Sequence, residues 1–232
     1  MPGVYIVDRR YVDKVAKAFA AQGTFLPSCC LTSLDEPVCC HPDMMLCRVG
    51  DTLICEPTVF PYYQKILLPY GIQLVQGKRT LRGDYPHDVA YNILQVGPYG
   101  FGRWDVADEA VFHAFESRGI QRVPVAQGYG RCSTVSFGQN LITADPSIQK
   151  AAESLGLDVL SITPGYVNLP GYNYGFIGGV CGASGRTLLF FGGLDTHPDG
   201  ERVRDFVQAR GYTVLDIPGE PLTDIGTIFR IL

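Results

Sequence analysis

Six polar residues, Asp43, Asp88, Arg131, Cys132, Asn173 and Asp224, recur along the chain, each in a polar stretch that leads into an apolar run. If equivalent loops of a repeated unit bring them to one opening, Asp43, Asp88 and Asp224 supply three carboxylates there. Such a cluster selects cations, since positive charge relieves its field, and a concave site needs only a few convergent polar groups of this kind. A small cationic molecule is the ligand this arrangement implies, with Asn173 as a further polar contact. Arg131 offers a different outcome: by reaching across to one of the acids it would fill the opening and act as a structural plug. Each acid is also at home as an ordinary turn or cap residue, solvated at a loop.

A thiol beside an imidazole becomes a nucleophile when its proton is withdrawn. Cys132 with His87 or His41 is the pairing of that kind on the same rim; the plainer reading of Cys132 is a small buried side chain at a strand start. Cys29, Cys30, Cys39, Cys40 and His41 put five soft ligands in one short stretch, the residue types of a zinc or iron–sulfur site. Against a metal, adjacent cysteines in a strand point to opposite faces, and no C-x-x-C spacing is present. The thiols are expected to be mostly reduced and buried, with a redox-sensitive pair in this stretch as the alternative to a metal. The stretch Gly97 to Trp104 follows a strand and precedes a helix, as a phosphate loop would, yet it lacks the Lys-Ser/Thr pair and the dinucleotide spacing. No cofactor is expected. That stretch reads instead as a hairpin packed by Tyr99, Phe101 and Trp104, or as aromatics offered to a protein partner.

What positions these residues is a unit repeated five times. Val12, Val15, Ala16 and Phe19 share a helical face, and Gly23 then opens the strand Thr24-Phe25-Leu26. The same helix, glycine and strand return with Pro61, Ile66, Leu67 and Gly71 before Ile72-Gln73-Leu74-Val75. They return again behind a cap at Asp105, with Val111, Phe115 and Gly119 before Ile120 to Val125. Asp145-Pro146 starts the fourth helix, with Gly156 before Leu157 to Ile162, and Asp199 the fifth, with Gly211 before Tyr212 to Ile217. After each strand comes a polar loop and a hairpin, and the second strands are read from His41, His87, Arg131, Tyr172 and Thr223. An open array of repeats needs capping units at its ends. Here Val4 to Val7 and Ile228 to Leu232 are both apolar and of matching length, so the expected fold is a single α/β domain over 1–232: a five-bladed α/β propeller closed by pairing of the N- and C-terminal strands.

A closed fivefold repeat of this kind resembles the guanidine-modifying superfamily, the penteins, which includes dimethylarginine dimethylaminohydrolases, arginine and agmatine deiminases and amidinotransferases. Pro42-Asp43 before an apolar strand resembles the first Pro-Asp loop of the dimethylarginine dimethylaminohydrolases. His87-Asp88-Val89 stands where they have Gly-Gly-Asp-Val, Ser133-Thr134-Val135 matches the strand after their catalytic His, and Leu222-Thr223-Asp224 matches the Leu-Thr-Cys that carries their nucleophile. The resemblance implies a thiolate attacking a guanidinium carbon, a His moving protons, and carboxylates holding the planar cation. It also implies departures, since Asp224 takes the thiol's place and Gly130-Arg131 the imidazole's, where an always-charged Arg is a poor base. The function expected is therefore a non-catalytic or unconventional relative that binds a small cationic or guanidino ligand through Asp224, Asp88 and Asp43. The alternatives are a guanidino-group hydrolase using Cys132, and an interaction scaffold like the ribosome anti-association factor that shares this fold.

The net charge of −4 offers no broad basic field, which argues against nucleic acid or an anionic membrane as the main partner. No apolar run reaches spanning length and no leader is evident, so the protein is expected in the cytoplasm.

Overall fold

A computed structural model describes residues 3–232. The chain opens with β1 (Gly3–Val7), α1 (Val12–Ala18) and β2 (Gly23–Pro27), and β1 and β2 run parallel. The second unit consists of the short α2 (Pro42–Met45), β3 (Leu46–Val49), β4 (Thr52–Cys55), α3 (Phe60–Leu67) and β5 (Gln73–Gln76). The third has β6 (Leu94–Val96), β7 (Tyr99–Gly102), α4 (Glu109–Ser117) and β8 (Gln121–Pro124). The fourth has β9 (Thr134–Phe137), β10 (Asn140–Thr143), α5 (Pro146–Ser154) and β11 (Asp158–Ser161). The fifth has β12 (Cys181–Ser184), β13 (Thr187–Phe190), α6 (Gly200–Gln208) and β14 (Thr213–Leu215), and β15 (Phe229–Arg230) follows.

These strands form five three-stranded sheets. In each, a central strand pairs antiparallel with one neighbour, in four of them through a hairpin, and parallel with the other across a helix, as β4 does with β3 and β5. The first sheet obeys the same rule only because the chain's end supplies the missing strand. β15 pairs antiparallel with β1, setting Tyr5 opposite Arg230 and Ile6 opposite Phe229, and Ile231 N donates to Val4 O at 2.8 Å. The terminal strands thus close the ring.

Each helix turns one apolar stripe onto its sheet, the pattern a 3.6-residue period demands. Val15, Tyr63, Val111, Ile148 and Val203 are all buried on these faces, and full burial of such a side chain contributes about 1.5–3 kcal/mol. The glycines end the helical segments as expected; Gly119, at φ 64°, takes the left-handed conformation that L side chains resist. One cap differs from the expectation. Asp108, not Asp105, starts α4, accepting from Ala110 N at 2.8 Å, while Asp105 pairs with Arg103 in the preceding turn.

The first strand of each hairpin lies at the centre of the ring. β3, β6, β9, β12 and β15 all contribute to the wall of one cavity of about 290 Å³, and a cavity touched by a strand of every unit must sit on the axis. These inner strands start later than the sequence suggests. Residues 41–45, 87–93, 131–133, 172–180 and 223–228 are short helices, turns and bends, and they are the segments that meet at the axis. No helix is long and apolar enough to cross a membrane among the described residues.

Candidate functional site

The segments that lead into the inner strands build a polar floor across the axis. Two residues before each inner strand stand Met44, Asn92, Cys132, Gly179 and Thr227, one from every unit, with Asp43 beside them. The Asn92 amide nitrogen donates to Asp43 O at 3.0 Å and to Cys132 Sγ at 2.9 Å, and its oxygen accepts from Arg131 N and Cys132 N at 2.8 and 3.2 Å. The Cys132 thiol donates to Asp43 Oδ2 at 3.0 Å. Thr227 Oγ1 reaches the same oxygen at 2.7 Å. Thr227 holds this place at φ 75°, a conformation that costs a β-branched residue and persists only where its surroundings demand it.

Above the floor lies a cavity of about 280 Å³ whose wall includes His41, Tyr129, Cys132, Tyr172, Asn173, Tyr174, Phe176 and Asp224. Asp224 is buried, yet both its oxygens are held: Oδ2 accepts from Phe176 N at 2.8 Å and Oδ1 from Gly226 N at 3.0 Å. Backbone crowds it closely, since a Cβ on Gly179 would stand 1.9 Å from Asp224 Oδ1. Gly226, at φ 67°, passes so near His41 that a Cβ there would meet His41 Cβ at 2.3 Å. His41 lies between two acids, its Nδ1 3.7 Å from Asp224 Oδ1 and its Nε2 3.9 Å from Asp8 Oδ2, both beyond hydrogen-bonding distance. Asp8 is itself neutralised by Arg10, whose Nη2 lies 2.6 Å from Oδ2.

The site's electrostatics follow from burial under several like charges. Burial pushes the Asp224 carboxyl above its usual range, with His41 opposing and Asp43 adding to the shift. Burial, then the charges of Asp43 and Asp224, push the Cys132 thiol well above its ordinary value. Such a thiol keeps its proton at neutral pH, and the thiolate is the nucleophile. Among the described residues, three buried atoms in this region have no hydrogen-bond partner: His41 Nε2, Asp43 Oδ1 and Asp88 Oδ1. An orphaned carboxylate oxygen in a buried setting is a costly group that a donor would relieve.

The structure brings His41, Cys132, Asn173 and Asp224 to one cavity. Asp43 sits behind Cys132, and Asp88 behind Tyr129, whose hydroxyl donates to Asp88 Oδ2; burial raises the Asp88 carboxyl too. His87 lies elsewhere, 44% exposed beside Asp84, so it is no partner for Cys132. Arg131 does not reach the acids. Its side chain forms part of the wall of the axial cavity on the other side of the floor, because it points away from Cys132, its neighbour in sequence.

The cysteine-rich stretch also differs from expectation. Cys30 and Cys40 are joined as a disulfide, which corrects the reading of reduced thiols at that pair. Sulfurs of Cys30, Cys39 and Cys40 lie close together, while Cys29 Sγ turns to Cys30 O and His41 faces the cavity, so the five do not meet as one ligand set. The Tyr99 to Trp104 stretch is β7 and its flank: Phe101 is fully buried, and Trp104 packs edge-on against Phe115 at 4.9 Å.

Sequence reading missed Asp8, Asn92, Tyr129 and Thr227. Asn92, Cys132 and Thr227 occupy the same place in their units, so alignment of the repeats on the inner strands is the signal that finds them.

No curated protein matches the chain in sequence. Among solved structures, it is similar to a cysteine-to-serine mutant of the dimethylarginine dimethylaminohydrolase from Pseudomonas aeruginosa, complexed with citrulline. The identity is 13%, the coverage 94% of this chain and 92% of that one, and the TM-score 0.53. A dimethylarginine dimethylaminohydrolase adduct with S-methyl-L-thiocitrulline matches at 13% identity over 94% and 93% of the two chains, with a TM-score of 0.55. SxtG, an amidinotransferase from Microseira wollei in the saxitoxin biosynthetic pathway, matches at 11% identity over 90% and 75%, with a TM-score of 0.53. At these identities the likeness is one of fold, and the fold is that of the guanidine-modifying pentein superfamily. By sequence, residues 6–229 match the model of DUF6873, described as a family of unknown function, and the chain belongs to that family.

Proposed function

We propose that the cavity above the floor binds a small organic cation of guanidinium or amidinium type, without the thiol chemistry usual for this fold. The observation that carries the reading is Asp224: a buried carboxylate on the wall of a cavity of about 280 Å³ whose other walls include Tyr129, Tyr172, Tyr174 and Phe176. A planar cation would gain a charge-assisted hydrogen bond from the acid and face-on attraction from the rings. Asp43 and Asp88 stand behind the wall and add negative potential, and Asn173 offers a polar contact at the rim. A cation would also offset the burial cost that now raises the Asp224 carboxyl.

Calorimetry of the wild type and Asp224→Asn against arginine, agmatine and methylated arginines tests the proposal. The wild type should bind at least one of them, and Asp224→Asn should weaken binding roughly 10- to 100-fold, the value of one hydrogen bond to a charged group. No binding by the wild type would sink it.

A second reading has one observation in its favour, the presence of Cys132 and His41 on the same cavity wall as Asp224. On that reading Cys132 Sγ, once deprotonated, would add to the guanidinium carbon, an amine would leave with a proton, and water would release the ureido product and regenerate the thiol. Burial and two carboxylates oppose the deprotonation. Amine or ammonia release from agmatine that disappears in Cys132→Ser would establish this second reading over simple binding.

A further inference from the structure

The axial cavity below the floor has the opposite character. Arg48, Arg131 and Arg230 contribute to its wall, together with Gln95 and Ser136, and no carboxylate does. Among the described residues none of the three arginines pairs with an acidic side chain, and Asp51, the acid whose charge Arg48 feels, is bound to Arg118 at 2.6 Å. Their present partners are main-chain oxygens, one of them on Leu232, the last residue of the sequence. Arg48 Nε donates to Gly50 O at 2.9 Å and Nη1 to Arg230 O at 3.1 Å; Arg230 Nε donates to Leu232 O at 2.6 Å; Arg131 Nη1 makes one long contact to Thr134 O at 3.5 Å. Most of the guanidinium N–H groups therefore remain uncommitted. Burial and then the neighbouring Arg230 charge hold the Arg48 guanidinium below its ordinary value, with Asp51 opposing. A guanidinium does not give up its proton at accessible pH, so the field is relieved by an anion.

Strands of three different units carry these groups or lead from them: Arg48 lies on β3, Arg230 on β15, and Arg131 just before β9. The first two units are neighbours in the ring and the third stands apart from both, so the charges approach the axis from more than one side. A tetrahedral oxyanion offers acceptor oxygens in several directions, and each guanidinium presents paired donors suited to phosphate oxygens. The volume of about 290 Å³ accommodates such a group with several waters, at about 30 Å³ for each water.

We propose that this arginine-lined end of the axis is a binding site for a small phosphate-type oxyanion, separate from the cation cavity across the floor. Calorimetry and thermal unfolding with inorganic phosphate, against chloride and acetate at equal ionic strength, test it on the wild type, Arg131→Gln, Arg230→Gln and Asp224→Asn. Phosphate should bind the wild type with one-to-one stoichiometry and raise its Tm beyond chloride and acetate. Arg131→Gln and Arg230→Gln should each weaken phosphate at least about tenfold, by loss of a charge-assisted contact, and Asp224→Asn should leave it unchanged. The one side-chain contact of Arg131 is also the longest of these, so its variant is the first choice, and Arg230→Gln carries the test if Arg131→Gln does not fold. A phosphate response no larger than that to chloride or acetate would overturn the proposal, as would phosphate affinity that survives both arginine substitutions or falls with Asp224→Asn.

Discussion

Arg131 and Cys132 are consecutive residues that serve opposite ends of one axis. Cys132 looks up into a cavity with Asp224 and His41 on its wall, and Arg131 looks down into one shared with Arg48 and Arg230. Only a layer of buried side chains and backbone separates them: Asn92, Asp43, Thr227 and the Gly178–Gly179 segment. The ring has thus been given two mouths of contrary charge. In each, the charge is concentrated because segments of several units converge on the axis, so a substitution that is neutral on a surface becomes selective there. The contrast also explains why a net charge of −4 says so little about ligands here: the two fields are local and of opposite sign.

The largest effect is expected at the floor. Asn92→Ala would leave two backbone N–H groups, those of Arg131 and Cys132, without their acceptor, and a buried donor left unpaired costs about 1–3 kcal/mol. Urea unfolding should show a loss of roughly 3 kcal/mol or more, and cation and phosphate binding should both weaken, because the floor is common to both cavities. Next in size is the reciprocal pair of charge removals. Asp224→Asn should cost the cation end roughly 10- to 100-fold in affinity and the phosphate end nothing measurable.

A pH series sharpens the contrast further. The cation requires ionised Asp224, whose carboxyl burial holds above the usual range, so affinity should be flat at high pH. It should begin to fall, as pH is lowered, before the ordinary aspartate value of about 3.9 is reached. In the ligand-free protein the same shift acts on stability with the opposite sense. A raised carboxyl favours the folded state at low pH, and that contribution is lost as pH rises through the folded value. Binding of sulfate at the arginine end should not change over the same range, since neither sulfate nor guanidinium titrates there. The smallest effect concerns reactivity. Iodoacetamide at neutral pH, followed by mass spectrometry, should label the half-buried Cys39 and spare Cys132, whose thiol is buried and pushed up by burial and two acids; rapid labelling of Cys132 would favour the hydrolytic reading.

Periodicity made the ring legible. Helical stripes such as Val12, Val15 and Phe19, each followed by a turn glycine, located the five units, and two apolar termini implied their closure, which the pairing of Tyr5 with Arg230 bears out. The inner strands were misplaced for a physical reason. Near the axis even irregular chain is buried, as Met44, Met45, Val89 and Tyr91 are, so apolar content there imitates a strand. Its backbone groups are satisfied across units, for example Gly179 N by Cys132 O at 2.9 Å, which leaves no local pattern to read. The acids at the mouth could be named from their loops. The direction in which each neighbour points could not, because Arg131 and Cys132 lie in a turn before β9, where no strand period fixes the facing of a side chain, and Arg131 belongs to the other mouth.

A crossed titration shows whether the two ends of the axis bind opposite charges independently. Agmatine and inorganic phosphate are each titrated into the wild type, Asp224→Asn and Arg131→Gln at one pH and ionic strength. The account predicts that Asp224→Asn loses agmatine at least about tenfold and keeps phosphate within about twofold, and that Arg131→Gln does the reverse. Equal losses of both ligands in either variant, or binding of neither by the wild type, would contradict it.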